Sequence, residues 1–226
     1  MRVLLVGGGG RESALAWAFR RSALLTQLDC APGNAGIERH ANRVGIAPEN
    51  TEALVAHAMA EAYDLVVIGP EAPLVSGLAD RLREAGLDTF GPSAAAAMIE
   101  GSKAFSKEFM ARHRIPTARF RVFDDAAEAS RYLLSREVSY PLVVKADGLA
   151  AGKGVVIAQD SAAAVETATH MLSGGAFGLA GRRIVVEELL KGREASFFVL
   201  SDGTTSLELA SCQDYKRAED ADRGPN

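Results

Sequence analysis

The sequence predicts an α/β protein, a parallel-sheet N-terminal domain followed by smaller α+β units, the last of them incomplete. Three observations carry this. Short continuous apolar runs at 2–6, 28–31 and 65–68 each meet a turn rich in glycine or proline, the mark of strands buried on both faces. Between them lie segments of helical period, Ala14, Leu15, Trp17 and Ala18 after the first run and Leu54, Val55, Ala58 and Met59 before the third. Beyond Gly91-Pro92-Ser93 the alternation changes, and two strands follow one another across a single loop.

The elements follow in order. Residues 2–6 form a strand, Gly7 to Gly10 a tight turn, and the chain then enters a helix. The second run meets Pro32-Gly33-Asn34-Ala35-Gly36 and the third meets Gly69-Pro70-Glu71-Ala72-Pro73. Thr51 is expected to cap one intervening helix, and 78–87 forms another. In a sheet so built, ligands bind beyond the carboxyl ends of the strands, where these three turns lie. Residues 94–114 are helical until Ile115-Pro116-Thr117 stops them, with a domain boundary near residue 102. Then come a strand from 119, a helix over 124–135, strands at 142–145 and 155–158, a helix over 161–172 and a strand at 184–188. Strands at 197–200 and 206–210 open a further unit, after which 213–226 is polar. The expected domains are 1–102, a linker helix at 103–120, a small unit at 121–188 and a last unit at 189–226 that is cut short.

With 226 residues the chain holds two or three compact units. Hydrophobic residues at 48% against 24% charged describe a globular chain rather than a disordered one. A net charge of −4 supplies no general attraction to nucleic acid or to an anionic membrane, so any anion must be caught locally. Cys30 and Cys212 lack metal-ligand or disulfide spacing and are expected to be buried, reduced thiols. His40, His57, His113 and His170 are scattered and are expected to be structural or surface residues. The apolar run at the N-terminus is too short for a signal peptide and no 18-residue apolar stretch follows, which implies a cytoplasmic protein.

Two glycine-rich turns invite chemistry. In the first, Gly8-x-Gly10 follows a strand, opens a helix and has Asp29 about twenty residues on, as a dinucleotide site would. Ser13 stands where a third glycine belongs, so a phosphate pocket ranks first, a nicotinamide site second and a plain tight turn third. The second is Lys145-Ala-Asp-Gly148-Leu-Ala-Ala-Gly152-Lys153-Gly154, set between two strands. It is not a Walker A loop, because the glycine spacing is one short and Gly154 replaces the magnesium-binding hydroxyl. Each glycine costs roughly 0.5–1 kcal/mol relative to alanine in regular structure, so three within seven residues suit a flap that closes over something. Lys145 and Lys153, with bare peptide amides, suit a polyphosphate. Lys103 opens a helix whose apolar face is Phe105, Phe109 and Met110, and by itself reads as a surface lysine. Glu187 and Glu188 end a buried strand and alternate sides, which disfavours a general acid/base pair. Contacts to adenine and ribose, or a solvated charge run, remain equal readings.

Taken in order, Gly7-Gly-Gly-Gly-Arg-Glu12, Ala31-Pro-Gly-Asn-Ala-Gly36, Gly69-Pro-Glu-Ala-Pro-Leu74, Gly101-Ser-Lys-Ala-Phe105, Lys145 to Gly154 and Gln213-Asp-Tyr-Lys-Arg217 resemble the phosphoribosylamine–glycine ligases of the ATP-grasp superfamily. The resemblance implies a Rossmann-like pre-ATP-grasp domain followed by ATP-grasp subdomains. It implies an ATP-dependent carbon–nitrogen ligase of purine biosynthesis that joins glycine to 5-phosphoribosylamine through a glycyl phosphate, giving glycinamide ribonucleotide, ADP and phosphate. On that footing Lys103 and Lys145 meet the ATP phosphates and Gly152, Lys153 and Gly154 cover them. Glu187, Glu188, Leu189 and Leu190 meet adenine, and Glu194 the ribose. Gly9, Gly10, Arg11, Glu12, Asn34, Gly36, Pro70 and Glu71 hold phosphoribosylamine, with Asp214 and Lys216 at the reacting centre. The implied partners are small molecules only, and the implied cofactors are ATP and Mg2+, whose family ligands fall after residue 226, so this stretch alone is expected to be inactive. Ser13, Tyr215 and Ala221 depart from the family pattern, which has His, His and Gly there. The rival readings are another ATP-grasp ligase acting on a different carboxylate, an NAD-binding oxidoreductase built on the first glycine turn, and a non-catalytic nucleotide-binding regulator.

Overall fold

The computed structural model describes residues 1–149, 154–173, 182–213 and 218–220. The chain divides into two compact units, Met1–Glu188 and Leu189–Asn226. The first unit begins with β1 (Arg2–Gly7), α1 (Gly10–Phe19), β2 (Gln27–Pro32), β3 (Asn42–Arg43), α2 (Thr51–Ala60), β4 (Leu65–Ile68), α3 (Glu71–Val75), α4 (Leu78–Glu84) and β5 (Thr89–Phe90). These five strands form one sheet in the order β3-β2-β1-β4-β5, with every pair parallel.

Both faces of that sheet are covered. Leu4 and Val6 pack with Leu54, Leu78 and Leu82, whereas Val3 and Leu5 pack with Ala16, Leu28 and Ile37. Burial on two sides is why β1 and β4 carry unbroken apolar runs, and each fully buried Leu, Ile or Val contributes about 1.5–3 kcal/mol. The strand order reverses at β1, so the turns after β1 and β4 flank the switch point. The cap of α2 is Asn50 rather than Thr51: the Asn50 carboxamide accepts from Ala53 N at 3.1 Å. Asparagine outranks threonine at this position, and Thr51 becomes the first helical residue.

The helical stretch expected over 94–114 is two helices, α5 (Ala94–Gly101) and α6 (Lys103–Arg112). Ser102 between them is extended, with φ −139 and ψ 117, and its hydroxyl accepts from Phe105 N at 3.1 Å, capping α6. Then come β6 (Phe120–Phe123), α7 (Ala126–Leu133), β7 (Leu142–Ala146), β8 (Val155–Ala158), α8 (Ser161–Leu172) and β9 (Ile184–Glu188). Their four strands form an antiparallel sheet in the order β6-β9-β7-β8, with α7 and α8 buried against Leu142, Val144, Ile184 and Val186.

The second unit carries two small antiparallel pairs: β10 (Ala195–Ser196) with β13 (Cys212–Gln213), and β11 (Val199–Ser201) with β12 (Ser206–Glu208). Cys30 is buried as expected, and burial pushes its thiol up to about 12; Cys212 is exposed, against expectation, because its ribbon has no covered face. Among the described residues no helix is long and apolar enough to cross a membrane.

One carboxylate joins the second sheet to α6. Asp147, just past β7 and 6% exposed, accepts from Ser102 Oγ at 2.9 Å and from Ala104 N at 3.1 Å. Arg183, just before β9, donates to its other oxygen through Nη2 at 2.7 Å and Nε at 3.1 Å. Burial alone would raise the Asp147 pKa, but these hydrogen bonds and the Arg183 charge together lower it. A carboxyl with a depressed folded-state pKa contributes stability that is complete above its unfolded value and disappears as pH falls through the folded one. Replacing it, Asp147→Asn, is expected to cost about 2–3 kcal/mol at neutral pH in urea unfolding. The gap between variant and wild type should close on acidification below the ordinary aspartate range; equal stability of the two at pH 7 would refute this role.

Candidate functional site

A cleft of about 460 Å³ opens in the first unit between α6 and the β7–β8 hairpin, and Lys103, Lys107 and Lys145 all line it. Their convergence follows from two periodicities. Lys103 and Lys107 are four apart on α6 and so share a face. On β7, Leu142, Val144 and Ala146 point into the core beneath α7 and α8, which puts Lys145 on the opposite side.

Each lysine is held differently. Lys103 Nζ donates to the Gly148 carbonyl at 2.7 Å. Burial lowers its pKa and the neighbouring Lys145 pushes the same way, while Asp147 and Glu100 oppose the shift. A partly desolvated ammonium beside a second one is a place where an anion is welcome. Lys145 is ion-paired with Glu187 Oε1. Lys107 lies 2.5 Å from Glu187 Oε2 and donates to Thr117 Oγ1 at 2.8 Å.

The described ends of the β7–β8 loop border this group. Ala146 N donates to Gly154 O at 2.8 Å and closes its neck, and Gly148, at φ +84, takes a left-handed conformation that suits glycine. Gly148, Leu149 and Gly154 line the cleft together with Lys103 and Lys145. Gly152 and Lys153 lie outside the described residues. The N-terminus of α6 does not itself offer an anion site, because the Asp147 carboxylate and Ser102 hydroxyl already occupy its amides.

A second cleft, about 360 Å³, is lined by Arg11, Gly69 and Pro92, and it shares Glu71 and Glu100 with the first. The first glycine turn borders it, and much of that turn is satisfied internally. Gly9 N donates to Glu12 Oε2 at 2.7 Å, and Glu12 is 4% exposed. A Cβ on Gly69 would come within 2.0 Å of Glu12 Oε1, so glycine there is the room that Glu12 fills. Asn34 donates to Gly8 O at 2.9 Å and accepts from Gly36 N at 2.8 Å, tying the β2 turn to the β1 turn. Around Gly10 a Cβ would meet nothing within 4 Å, and Arg11, mostly exposed, reaches the Gly69 carbonyl and lies 3.8 Å from Glu71. Pro70 is the extended residue that starts α3.

Of the two strand-end acids, Glu187 is buried under the lysines. Glu188 points the other way, where the Arg119 backbone and guanidinium, at 2.9 Å each, hold its pKa low. Leu189, Leu190 and Glu194 belong to the second unit; Asp214 and Lys216 lie outside the described residues. Sequence reasoning missed Lys107, Glu100 and Asp147. The i, i+4 spacing from Lys103 is a signal that could have found Lys107, whereas the other two are brought in only by tertiary contact. Among the described residues no group of three or more His, Cys, Asp or Glu side chains could hold a metal ion.

Residues 1–100 match the family model for the N domain of phosphoribosylglycinamide synthetase, and residues 101–226 match its ATP-grasp (A) domain. A phosphoribosylamine–glycine ligase of Agrobacterium fabrum is 54% identical over the whole chain, and one of Escherichia coli K12 is 51% identical. The crystal structure of the Thermotoga maritima ligase superposes with a TM-score of 0.82 at 31% identity, covering 100% of this chain and 53% of that one. A Thermus thermophilus N5-carboxyaminoimidazole ribonucleotide synthetase shares the fold, with a TM-score of 0.70 at 21% identity. The chain spans about half the length of the curated relatives it matches, 53% of both the A. fabrum and the E. coli proteins. With both domain models matched in order along residues 1–226, the chain belongs to the phosphoribosylglycinamide synthetase family.

Proposed function

We propose that the three-lysine cleft binds the polyphosphate of ATP, and that the chain serves an ATP-dependent ligase joining glycine to 5-phosphoribosylamine. The observation that carries the first part is the meeting of Lys103 and Lys145 with Gly148 and Gly154 in one cleft. The second part rests on family membership and on the names of relatives above 50% identity.

In this reading the glycine carboxylate attacks the γ-phosphorus and ADP leaves. The amine of phosphoribosylamine then attacks the acyl carbon of the glycyl phosphate, phosphate leaves and a proton is released. Lys103 and Lys145 neutralise charge on the transferring phosphoryl oxygens, and the hairpin from Gly148 to Gly154 excludes water that would hydrolyse the acyl phosphate. Glu187 to Leu190 and Glu194 are assigned to the adenosine end. Arg11, Gly10 and Glu71, which border or line the second cleft, are assigned to phosphoribosylamine, with Glu12 and Asn34 shaping that site from behind. Magnesium would supply further charge neutralisation when bound.

Calorimetry with ATP and with NAD+ tests the nucleotide assignment: ATP should bind, and tight NAD+ binding without ATP binding would overturn it. Lys145→Ala should weaken ATP at least about tenfold, roughly 1.4 kcal/mol, with an unchanged unfolding midpoint because Glu187 keeps Lys107. Unaltered ATP affinity in that folded variant would remove Lys145 from the site. In a full-length protein carrying this stretch, the ligase assignment predicts ADP release that requires glycine; equal release with a different carboxylate in place of glycine would overturn it.

A further inference from the structure

Lys107 stands in the cleft but takes no part in the transfer step, which uses Lys103 and Lys145. It is 12% exposed, it lines the cleft four residues after Lys103, and its contacts run inward to Thr117 Oγ1 at 2.8 Å and Glu187 Oε2 at 2.5 Å. Its ammonium also lies 6.0 Å from the centre of the Phe120 ring. Glu187, at 6% exposure, is therefore one buried carboxylate shared by two ammonium groups, Lys107 from α6 and Lys145 from β7. Although Lys107 lies so close, Glu187 Oε2 accepts no hydrogen bond of good geometry among the described residues.

This arrangement bears on how Lys145 could serve a ligand. In a lone Lys145–Glu187 pair, moving the lysine toward a phosphate would strand a buried carboxylate, and that penalty would be subtracted from ligand binding. A second cation anchored on Thr117 changes the balance, because Glu187 stays paired when Lys145 leaves. We infer that Lys107 is a positioning residue that compensates Glu187 and so releases Lys145 to a bound polyphosphate, without itself touching the ligand.

The inference rests on the cleft being the polyphosphate site, so the experiment separates the two. Inorganic tripolyphosphate is the probe, since it lacks the adenosine that Glu187 is also assigned to meet. Its affinity is measured by calorimetry for wild type, Lys103→Met, Lys107→Met, Glu187→Gln and the Lys107→Met/Glu187→Gln double variant. Failure of wild type to bind, or indifference to Lys103→Met, would overturn the site and the inference with it. Where the site stands, Lys107→Met should weaken tripolyphosphate about tenfold, because Glu187 then competes alone for Lys145. Adding Glu187→Gln should restore affinity to within about threefold of wild type, since no carboxylate remains to capture Lys145. A double variant as weak as Lys107→Met would show that Lys107 binds phosphate directly and would refute the inference, as would an unaffected Lys107→Met. Should Lys107→Met not fold, the Glu187→Gln single variant decides: it should bind tripolyphosphate at least as tightly as wild type, and weaker binding would refute the competition.

Discussion

The Asp147 carboxylate at the start of α6 is the contact on which the cleft depends. It takes the place an external anion would occupy at that helix N-terminus, and the Arg183 guanidinium and Ser102 hydroxyl meet its two oxygens. By fastening α6 to the ends of β7 and β9 it fixes Lys103, the first residue of α6, close to Lys145, two residues before Asp147 on β7. Each lysine alone stands on an ordinary element. Their proximity exists because a buried acid in the loop reaches back across more than forty residues to a helix cap.

The electrostatics follow from that geometry. An acidic chain of net charge −4 has no long-range pull on nucleotides, yet it can still gather three ammonium groups in one cleft. Bringing like charges together is tolerable here because Glu187 lies between two of them and the Gly148 carbonyl engages the third. The cost shows on Lys103, whose pKa falls chiefly through burial and further through Lys145. An incoming polyanion would relieve that cost, which is why these partial internal contacts suit a binding site better than a finished structural network.

Much of the first sheet was legible because both of its faces are covered: strands such as β1 and β4 carry uninterrupted apolar runs, and each ends in its own glycine or proline turn. Boundaries were less legible where two good caps compete, as at Asn50 and Thr51, or where a single extended serine splits a helical stretch at 102. The exposed Cys212 was misread because the absence of metal-ligand or disulfide spacing says nothing of burial, and its short ribbon leaves both Cys212 and Gln213 exposed. Of the cleft, Lys103 and Lys145 were legible only through their motifs. Lys107 carried a spacing signal, and Asp147 and Glu100 carried none, since contacts made over long sequence separations leave no period to read.

The two glycine-rich turns show why composition alone does not identify a phosphate loop. Both follow a strand, and both carry the glycines that let peptide amides approach an anion. After β1, the chain provides its own: Glu12 lies buried against Gly7, Gly9 and Gly69, and Asn34 closes the remaining side. What stays open there is the rim around Gly10 and Arg11, which fits a ligand held beside the turn rather than within it. After β7 the internal anion, Asp147, is committed to α6 and Arg183, and the lysines beyond it share a single buried carboxylate. Whether a glycine turn can take a ligand thus depends on whether a neighbouring acid already satisfies it, and in this chain that distinction separates the scaffold of the first turn from the cation-lined cleft that the ends of the second border.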